Sequence, residues 1–351
     1  MVFLLLALSS VEELPARVQE PPTPRAFRMG FTAFPHDHTP EAFLETRDFV
    51  HANADLIAHH IEGVPWAETH AGGPLPAKLL EDWNGKKSMT PKGAKVYLAV
   101  SPGRGELKVH DKAGPLPAAL KGKGYDHPDV KTAYLRYCRK AVEFFKPDYL
   151  VVGIEVNELS PAAGRAYADL HRHVYAALKK DAPALPVSAS FTLHNLFKKR
   201  GAMLDGLKAL MPHNDQIAVS YYPFFVGGAE ALGALDWLVR EFDGLKKPYA
   251  FVETNEAAER LPLPQAGVVI EGSAEKQRVY TERLLALAQE RRFDFVVCFI
   301  HRDYDALWEK IKAVSPELFM AWRDCGLVDE AGKPRPAYHV WRKYFEVPLA
   351  P

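Results

Sequence analysis

Two glutamates, Glu158 and Glu253, each lie at the end of an apolar run whose length is typical of a buried strand. The first run, 149–156, is followed by Asn157 and Glu158, and the second run, 248–254, carries Glu253. Carboxylates are costly to bury, so a strand that carries one usually ends where solvent or a ligand begins. Two carboxyls that face each other across a cleft supply the acid/base and the nucleophile that cleave a glycosidic bond. We therefore take Glu158 and Glu253 as the candidate catalytic pair.

Strand-like runs alternate with helical patterns along the chain from residue 27 onward. The predicted strands are 27–34, 54–61, 95–101, 149–156, 186–191, 216–221, 248–254 and 293–300. Continuous apolar strands that alternate with helices predict a parallel sheet with both faces covered. Eight of them predict a single (β/α)8 TIM barrel over residues 26–347. An open doubly wound sheet is the alternative, but the first strand has no glycine-rich phosphate turn after it.

Polar residues follow most of the predicted strands, and in a barrel these positions share one face. They form a predicted ring of His36, Asp37, Glu62, Arg104, Asn157, Glu158, His194, Asn195, Tyr221, Tyr222, Glu253, His301, Arg302 and Asp303. The two long connections 62–94 and 102–124 follow strands and therefore lie on this C-terminal face. Their aromatic residues, among them Trp66 and Trp83, suit platforms for sugar rings.

Three motifs in the last two thirds of the chain resemble clan A glycoside hydrolases. They are Asn157-Glu158 at the fourth strand, Ser220 to Phe224 at the sixth and Val252-Glu253-Thr254 at the seventh. The sixth- and seventh-strand segments are most similar to family 53, the arabinogalactan endo-β-1,4-galactanases. The resemblance covers the barrel from about the fourth strand to the end, and the first third matches only in outline.

The resemblance implies a retaining glycosidase that acts on β-linked glycans by double displacement. Glu158 would be the acid/base, Glu253 the nucleophile and Asn157 a ligand of the sugar 2-hydroxyl. Tyr222, or else Tyr221, would hold the nucleophile by a hydrogen bond. Further candidate substrate contacts are Glu62, His301, Trp66 and Asp37.

The fourth strand departs from the family pattern in two ways. Val156 precedes the Asn-Glu pair where family 53 tends to have glycine, and Glu155 adds a second carboxylate to the strand. We expect Glu155 to be an ion-paired barrel residue. Glu62 either binds a substrate hydroxyl or neutralises Arg104.

Two other functions fit parts of the same ring. A metal-dependent amidohydrolase would use His36, Asp37 and His38 with His194 and Asp303, but the fourth strand offers no lysine and Pro35 interrupts the first. A barrel that binds sugar without cleaving it would keep both glutamates. No nucleotide, flavin or pyridoxal motif is found, so the favoured interpretation needs no cofactor and no metal.

Composition and charge limit the partners. Lys and Arg together number 44, as do Asp and Glu, and this neutral balance argues against a nucleic-acid or polybasic membrane surface. We expect a monomer that binds an oligo- or polysaccharide. Residues 1–25 combine a short apolar run with a proline-rich tether and resemble a signal segment without its leading Lys or Arg. This predicts a secreted or periplasmic protein and leaves a cytoplasmic one open.

Overall fold

The computed structural model describes residues 24–351, so the predicted signal-like segment lies outside the described residues except for Pro24 and Arg25. The strands are β1 (Arg28–Thr32), β2 (Leu56–Glu62), β3 (Lys95–Ser101), β4 (Tyr149–Val151), β5 (Val187–Ser188), β6 (Ser190–Thr192), β7 (Ile217–Tyr221), β8 (Tyr249–Thr254), β9 (Arg260–Leu263), β10 (Val268–Glu271) and β11 (Phe295–Cys298). The helices are α1 (Pro40–Asn53), α2 (Trp66–Ala71), α3 (Ala77–Ser88), α4 (Pro128–Phe145), α5 (Pro161–Asp181), α6 (Leu193–Lys199), α7 (Ala202–Leu210), α8 (Glu230–Phe242), α9 (Ala274–Arg291), α10 (Asp305–Ile311) and α11 (Pro336–Phe345).

Nine of these strands form one parallel sheet in the order β5-β4-β3-β2-β1-β11-β8-β7-β6. Its two end strands, β5 and β6, are separated only by Ala189, so they form one interrupted strand that closes the sheet on itself. Backbone bonds Val152 N to Ser188 O (2.8 Å) and Ser190 N to Gly153 O (2.9 Å) hold β4 against this strand. The predicted (β/α)8 barrel is confirmed, with β9 and β10 as an added antiparallel hairpin.

Side chains that alternate along the strands fill the barrel interior. This inner core contains Leu56, Ala58, Tyr97, Ala99, Val151, Ala218, Ala250, Val252, Phe295 and Val297. The opposite faces of the strands pack against the helices, which begin where sequence signals predict. Thr39, Ser160 and Ser273 each accept a backbone N–H at the first turn of a helix, which satisfies donors that the helix itself leaves free.

The structure differs from the predicted elements mainly around the barrel mouth. The fourth strand ends at Val151 instead of Val156, and helices α2 and α3 occupy the first long connection. Within residues 24–351 we find no helix with the length and apolar composition that a bilayer crossing requires.

Candidate active site

Glu253 lies near the end of β8 and faces the barrel mouth. The Tyr222 hydroxyl, which directly follows β7, donates a hydrogen bond to Glu253 Oε1. His60 Nδ1, near the end of β2, lies 3.3 Å from Glu253 Oε2. Burial lowers the pKa of His60 to about 4, so the ring is neutral at pH 7 and donates to Glu253 when Nδ1 carries the proton. Two neutral donors thus hold one carboxylate in a fixed orientation.

A second carboxylate, Glu155, reaches the same mouth from the β4 side. Ser220 of β7 donates a hydrogen bond to Glu155 Oε1 (2.8 Å), and Arg104 Nη2 lies 3.0 Å from Glu155 Oε2. Only 14% of the Glu155 side chain is exposed. Its contacts with β7 and with the loop after β3 place it on the inner side of the barrel.

The chain between β4 and α5 explains why Glu155 faces inward. Tyr134 and Tyr167 each donate to Val152 O at 2.9 Å, which fixes the end of the strand. A Cβ at Gly153 would lie 1.9 Å from the Tyr167 hydroxyl, so only glycine fits there. Glu155 then adopts a left-handed conformation (φ 53°), which is uncommon for a residue with a side chain and turns the chain out of the strand.

Asn157 and Glu158 follow on a short 3-10 turn (Val156–Glu158) and contact a different neighbour. Asn157 Oδ1 accepts the backbone N–H of Thr192 at 2.8 Å, and its amide nitrogen donates to Thr192 O at 3.0 Å. Thr192 also donates its hydroxyl to Glu158, whose side chain is exposed. The predicted catalytic Glu158 and the predicted sugar ligand Asn157 therefore bind Thr192 of β6, whereas Glu155 interacts electrostatically with Glu253.

The two inward carboxyls influence each other's protonation. Burial raises the pKa of Glu155, and the negative charge of Glu253 raises it further, while Arg104 and Ser220 lower it. Burial also raises the pKa of Glu253, against the hydrogen bond from Tyr222 and the charge of Arg104. Since like charges disfavour double ionisation, the pair retains a proton at a higher pH than two isolated carboxyls would.

Glu62 is the last residue of β2 and lies at the rim of the barrel, where it is exposed. Lys108 forms an ion pair with it, and Arg104 Nη2 lies 3.9 Å from its Oε1. Arg104 is thus shared between the rim carboxylate Glu62 and the inner carboxylate Glu155.

Four other predicted site residues lie away from this mouth or are buried. Trp66 is fully buried, and its Nε1 donates to Lys108 O at 2.9 Å, so it is out of reach of a sugar. Tyr221 is fully buried and donates to Ala231 O. His301 is 3% exposed and packs on Phe49 with a centroid distance of 4.9 Å. Asp37 forms an ion pair with Lys310 of α10 (2.5 Å), and the hydrogen bond from Lys310 lowers its pKa.

The sequence analysis missed a group of half-buried aromatic side chains beside Tyr222. Trp322 meets the Tyr222 ring edge-on at 5.4 Å, and Phe299 does so at 6.1 Å. Phe224 and Phe225 extend the group. Phe224 belongs to the sixth-strand motif, but Trp322 ends a 3-10 helix (Glu317–Trp322) whose sequence has no period or motif that would predict it.

The metal-dependent alternative finds no support among residues 24–351. Only two groups of residues there have ligand atoms close enough to share an ion, Glu259/Asp303/Glu330 and Asp303/Asp305/Asp324. Neither contains His36, His38 or His194. Asp303 already pairs with Arg335 Nη1 at 2.6 Å, and His36 with Glu45 at 3.5 Å.

Comparisons with known proteins relate this chain to others through its fold. No protein-family model matches the sequence, and no curated protein matches it. Among solved structures, an exo-β-1,4-mannosidase from an Opitutaceae bacterium aligns over 91% of this chain with a TM-score of 0.64 and 12% identity. This chain covers 59% of the mannosidase chain.

Two further structures match most of their own length. A GH53 catalytic domain from Ignisphaera aggregans aligns with a TM-score of 0.61 and 17% identity, over 93% of this chain and 98% of that one. A GH5_18 protein from Bifidobacterium longum in complex with Manβ1-4GlcNAc aligns with a TM-score of 0.65 and 13% identity, over 93% and 80%. At these identities the likeness shows the fold alone, a TIM barrel, and the matched structures include a member of GH53, the family that the motifs resemble.

Proposed function

We propose that this chain is a retaining glycoside hydrolase that cleaves β-linked glycans, with Glu253 as the nucleophile and Glu155 as the acid/base. The observation that carries the proposal is the convergence of these two carboxyls at the barrel mouth, where the charge of one raises the pKa of the other. The glycosidase neighbours with the same fold agree with this reading.

In the first step Glu155 donates its proton to the glycosidic oxygen while Glu253 attacks the anomeric carbon. The aglycone leaves with that proton, and the glycone stays bound to Glu253 as an ester. Tyr222 and His60 aim the attacking carboxylate. Since esterification removes the negative charge of Glu253, the pKa of Glu155 falls and the carboxyl stays ionised. It then takes a proton from water, which attacks the same carbon and releases Glu253.

We assign the acid/base role to Glu155 and no longer to Glu158. Gly153-Ile154-Glu155 has the glycine that family 53 tends to place before its Asn-Glu pair, with Ile154 where the asparagine would lie. Asn157 then holds β6 instead of the sugar 2-hydroxyl. A substrate of oligo- or polysaccharide type, a monomeric state and a secreted or periplasmic location remain part of the proposal.

The stereochemistry of the product tests this function. Purified protein would be screened against 4-nitrophenyl β-glycosides and β-linked polysaccharides, and the first product of an active substrate followed by proton NMR. We expect the β-anomer to form first, because two inversions give net retention. Initial formation of the α-anomer, or absence of turnover on every substrate, would overturn the proposal.

A further inference from the structure

A cavity of about 310 Å³ opens between β1 and β2 and extends outward to helix α3. Its volume lies at the lower end of the range that small-molecule sites occupy. Its wall consists of the chain that follows β1, the end of β2, one face of α3 and single residues of α1 and the β11 exit. The lining includes Phe34, Phe43, His60, Asp82, Lys86 and Phe299.

Two lining residues connect this cavity with Glu253. His60 lines the cavity, and its Nδ1 lies 3.3 Å from Glu253 Oε2. Phe299 lines the cavity and meets the ring of Tyr222, the second partner of Glu253. Glu155 is bound by residues of β7 and of the loop after β3, none of which lines the cavity. The polar contact of the lining therefore goes to the nucleophile, and Glu155 acts on His60 through its charge, without a direct bond among the described residues.

The lining combines aromatic rings with free polar groups. Phe34, Phe43 and Phe299 are half-buried, so each leaves part of its ring to the cavity. Asp82 and Lys86 approach each other only to 3.9 Å, and in the described part of the chain neither side chain makes a hydrogen bond. The pair carries no net charge. Apolar ring faces with a few polar groups at the edge match the surface of a neutral sugar, which has C–H faces and hydroxyl edges.

We propose that this cavity binds a further sugar unit of the glycone, beyond the one whose anomeric carbon Glu253 attacks. The inference rests on the proposed function. The glycone becomes attached to Glu253, and the leaving group departs on the Glu155 side, so a cavity whose lining contacts Glu253 directly receives the non-reducing part of the substrate. It follows that donors with at least two sugar units are cleaved more efficiently than those with one.

Gly85 offers a way to fill the cavity without disturbing the fold. It lies within α3 and lines the cavity, and a Cβ added there meets no atom within 4 Å. Gly85→Leu also favours the helix, because leucine has a much higher helix propensity than glycine. Gly233→Leu is the matched control, since Gly233 lies in α8, outside the cavity lining, and its Cβ position is equally open.

The experiment compares kcat/KM on a 4-nitrophenyl β-monosaccharide with kcat/KM on the β-1,4-linked 4-nitrophenyl disaccharide of the same sugar, in the manno, galacto and gluco series. We expect the unmodified enzyme to favour the disaccharide in its active series. Gly85→Leu should lower the disaccharide-to-monosaccharide ratio by about tenfold or more, the size of a lost ring contact, whereas Gly233→Leu should leave the ratio unchanged. Circular dichroism checks the fold, and Lys86→Met, which removes a polar group at the edge, should lower the ratio in the same direction.

If the ratio is unchanged in folded Gly85→Leu and in Lys86→Met, the inference is wrong. Hydrolysis of either substrate type would in that case still support the proposed function. Failure of the unmodified enzyme on both types would instead remove the proposed function, and the cavity assignment with it.

Discussion

Glu155 and Glu158 are three positions apart and differ in what their surroundings let them do. Glu155 is nearly buried, contacts Ser220 and Arg104 and feels the charge of Glu253. Glu158 is exposed and bound to Thr192. Burial beside a like charge raises a carboxyl's pKa toward the value that a general acid needs at neutral pH.

This difference predicts unequal effects of the same substitution. Glu155→Gln should lower kcat/KM by about 10²- to 10⁴-fold, the usual contribution of a general acid, and most on substrates with poor leaving groups. Glu158→Gln should keep activity within a few-fold. Steady-state kinetics on an aryl glycoside and an oligosaccharide of the same sugar checks this. A large loss in Glu158→Gln together with an active Glu155→Gln would contradict the assignment.

Arg104 opposes the effect of burial on both carboxyls of the site. Its positive charge favours the ionised forms of both Glu155 and Glu253 and so lowers the pKa of each. In Arg104→Met both pKa values should rise. Glu155 then stays protonated up to a higher pH, and Glu253 needs a higher pH to ionise. We therefore expect both limbs of the pH profile of kcat/KM to move to higher pH. Lys108→Met, which removes a partner of Glu62 only, is the control. Limbs that stay in place or move to lower pH would argue against the role of Arg104.

At the scale of elements, the connection between β4 and α5 determines which carboxyl enters the barrel. Asn157 links this connection to β6 through paired hydrogen bonds with the Thr192 backbone. Asn157→Ala would leave the buried Thr192 N–H without its acceptor, so we expect the free energy of unfolding to fall by about 1–3 kcal/mol.

Urea denaturation measures this loss. Asn195→Ala is the matched control, because among residues 24–351 the Asn195 side chain has no hydrogen bond, and its free energy of unfolding should change little. Equal stabilities of the two variants would show that the Asn157 bonds do not hold the connection.

The sequence was sufficient to predict the strands and their order, since the period and length of apolar runs follow from burial on both faces. It was also sufficient to place Glu253 and its partner Tyr222, because both lie at the end of a regular strand. The fourth strand was extended to Val156 because 149–156 reads as one apolar run. The turn at Glu155 depends on Tyr134 and Tyr167, which lie on helices α4 and α5, and on the close approach at Gly153. Such contacts between distant segments leave no local pattern.

The aromatic residues of the long connections show the same limit of prediction from sequence. Trp66 and Trp83 are of a residue type that often forms sugar platforms, yet both are fully buried against α4. Trp322, at the end of a 3-10 helix without a sequence motif, lies beside Tyr222 instead. Residue type alone does not distinguish an aromatic ring in a core from one at a site.

At the scale of the whole molecule, the two ends of the described chain meet at the barrel's other side. Arg25 N donates to Pro348 O (2.8 Å), and Ala350 N donates to Arg25 O (2.7 Å). The buried Arg25 guanidinium pairs with Asp55 at 2.6 Å, and Asp55 Oδ1 accepts the N–H of Met29 in β1. The ion pair thus joins the chain ends to the first strand.

Removing this guanidinium should weaken the barrel without affecting its chemistry. Arg25→Met leaves Asp55 partly buried without its cation, and we expect the free energy of unfolding to fall by roughly 2–4 kcal/mol, with kcat unchanged at 25 °C. Thermal unfolding and kinetics on the same preparation check both statements. Arg47→Met is the control, because within the described part of the chain Arg47 pairs only with its exposed neighbour Asp48.

Trapping the covalent intermediate tests the central claim most directly. A 2-deoxy-2-fluoro β-glycoside of the active sugar with a good leaving group would be incubated with the enzyme, and the labelled peptide identified by mass spectrometry. We predict that one glycosyl unit attaches to Glu253 and that Glu253→Gln takes up no label. A stable label on Glu155, on Glu158 or on any other side chain would contradict the account.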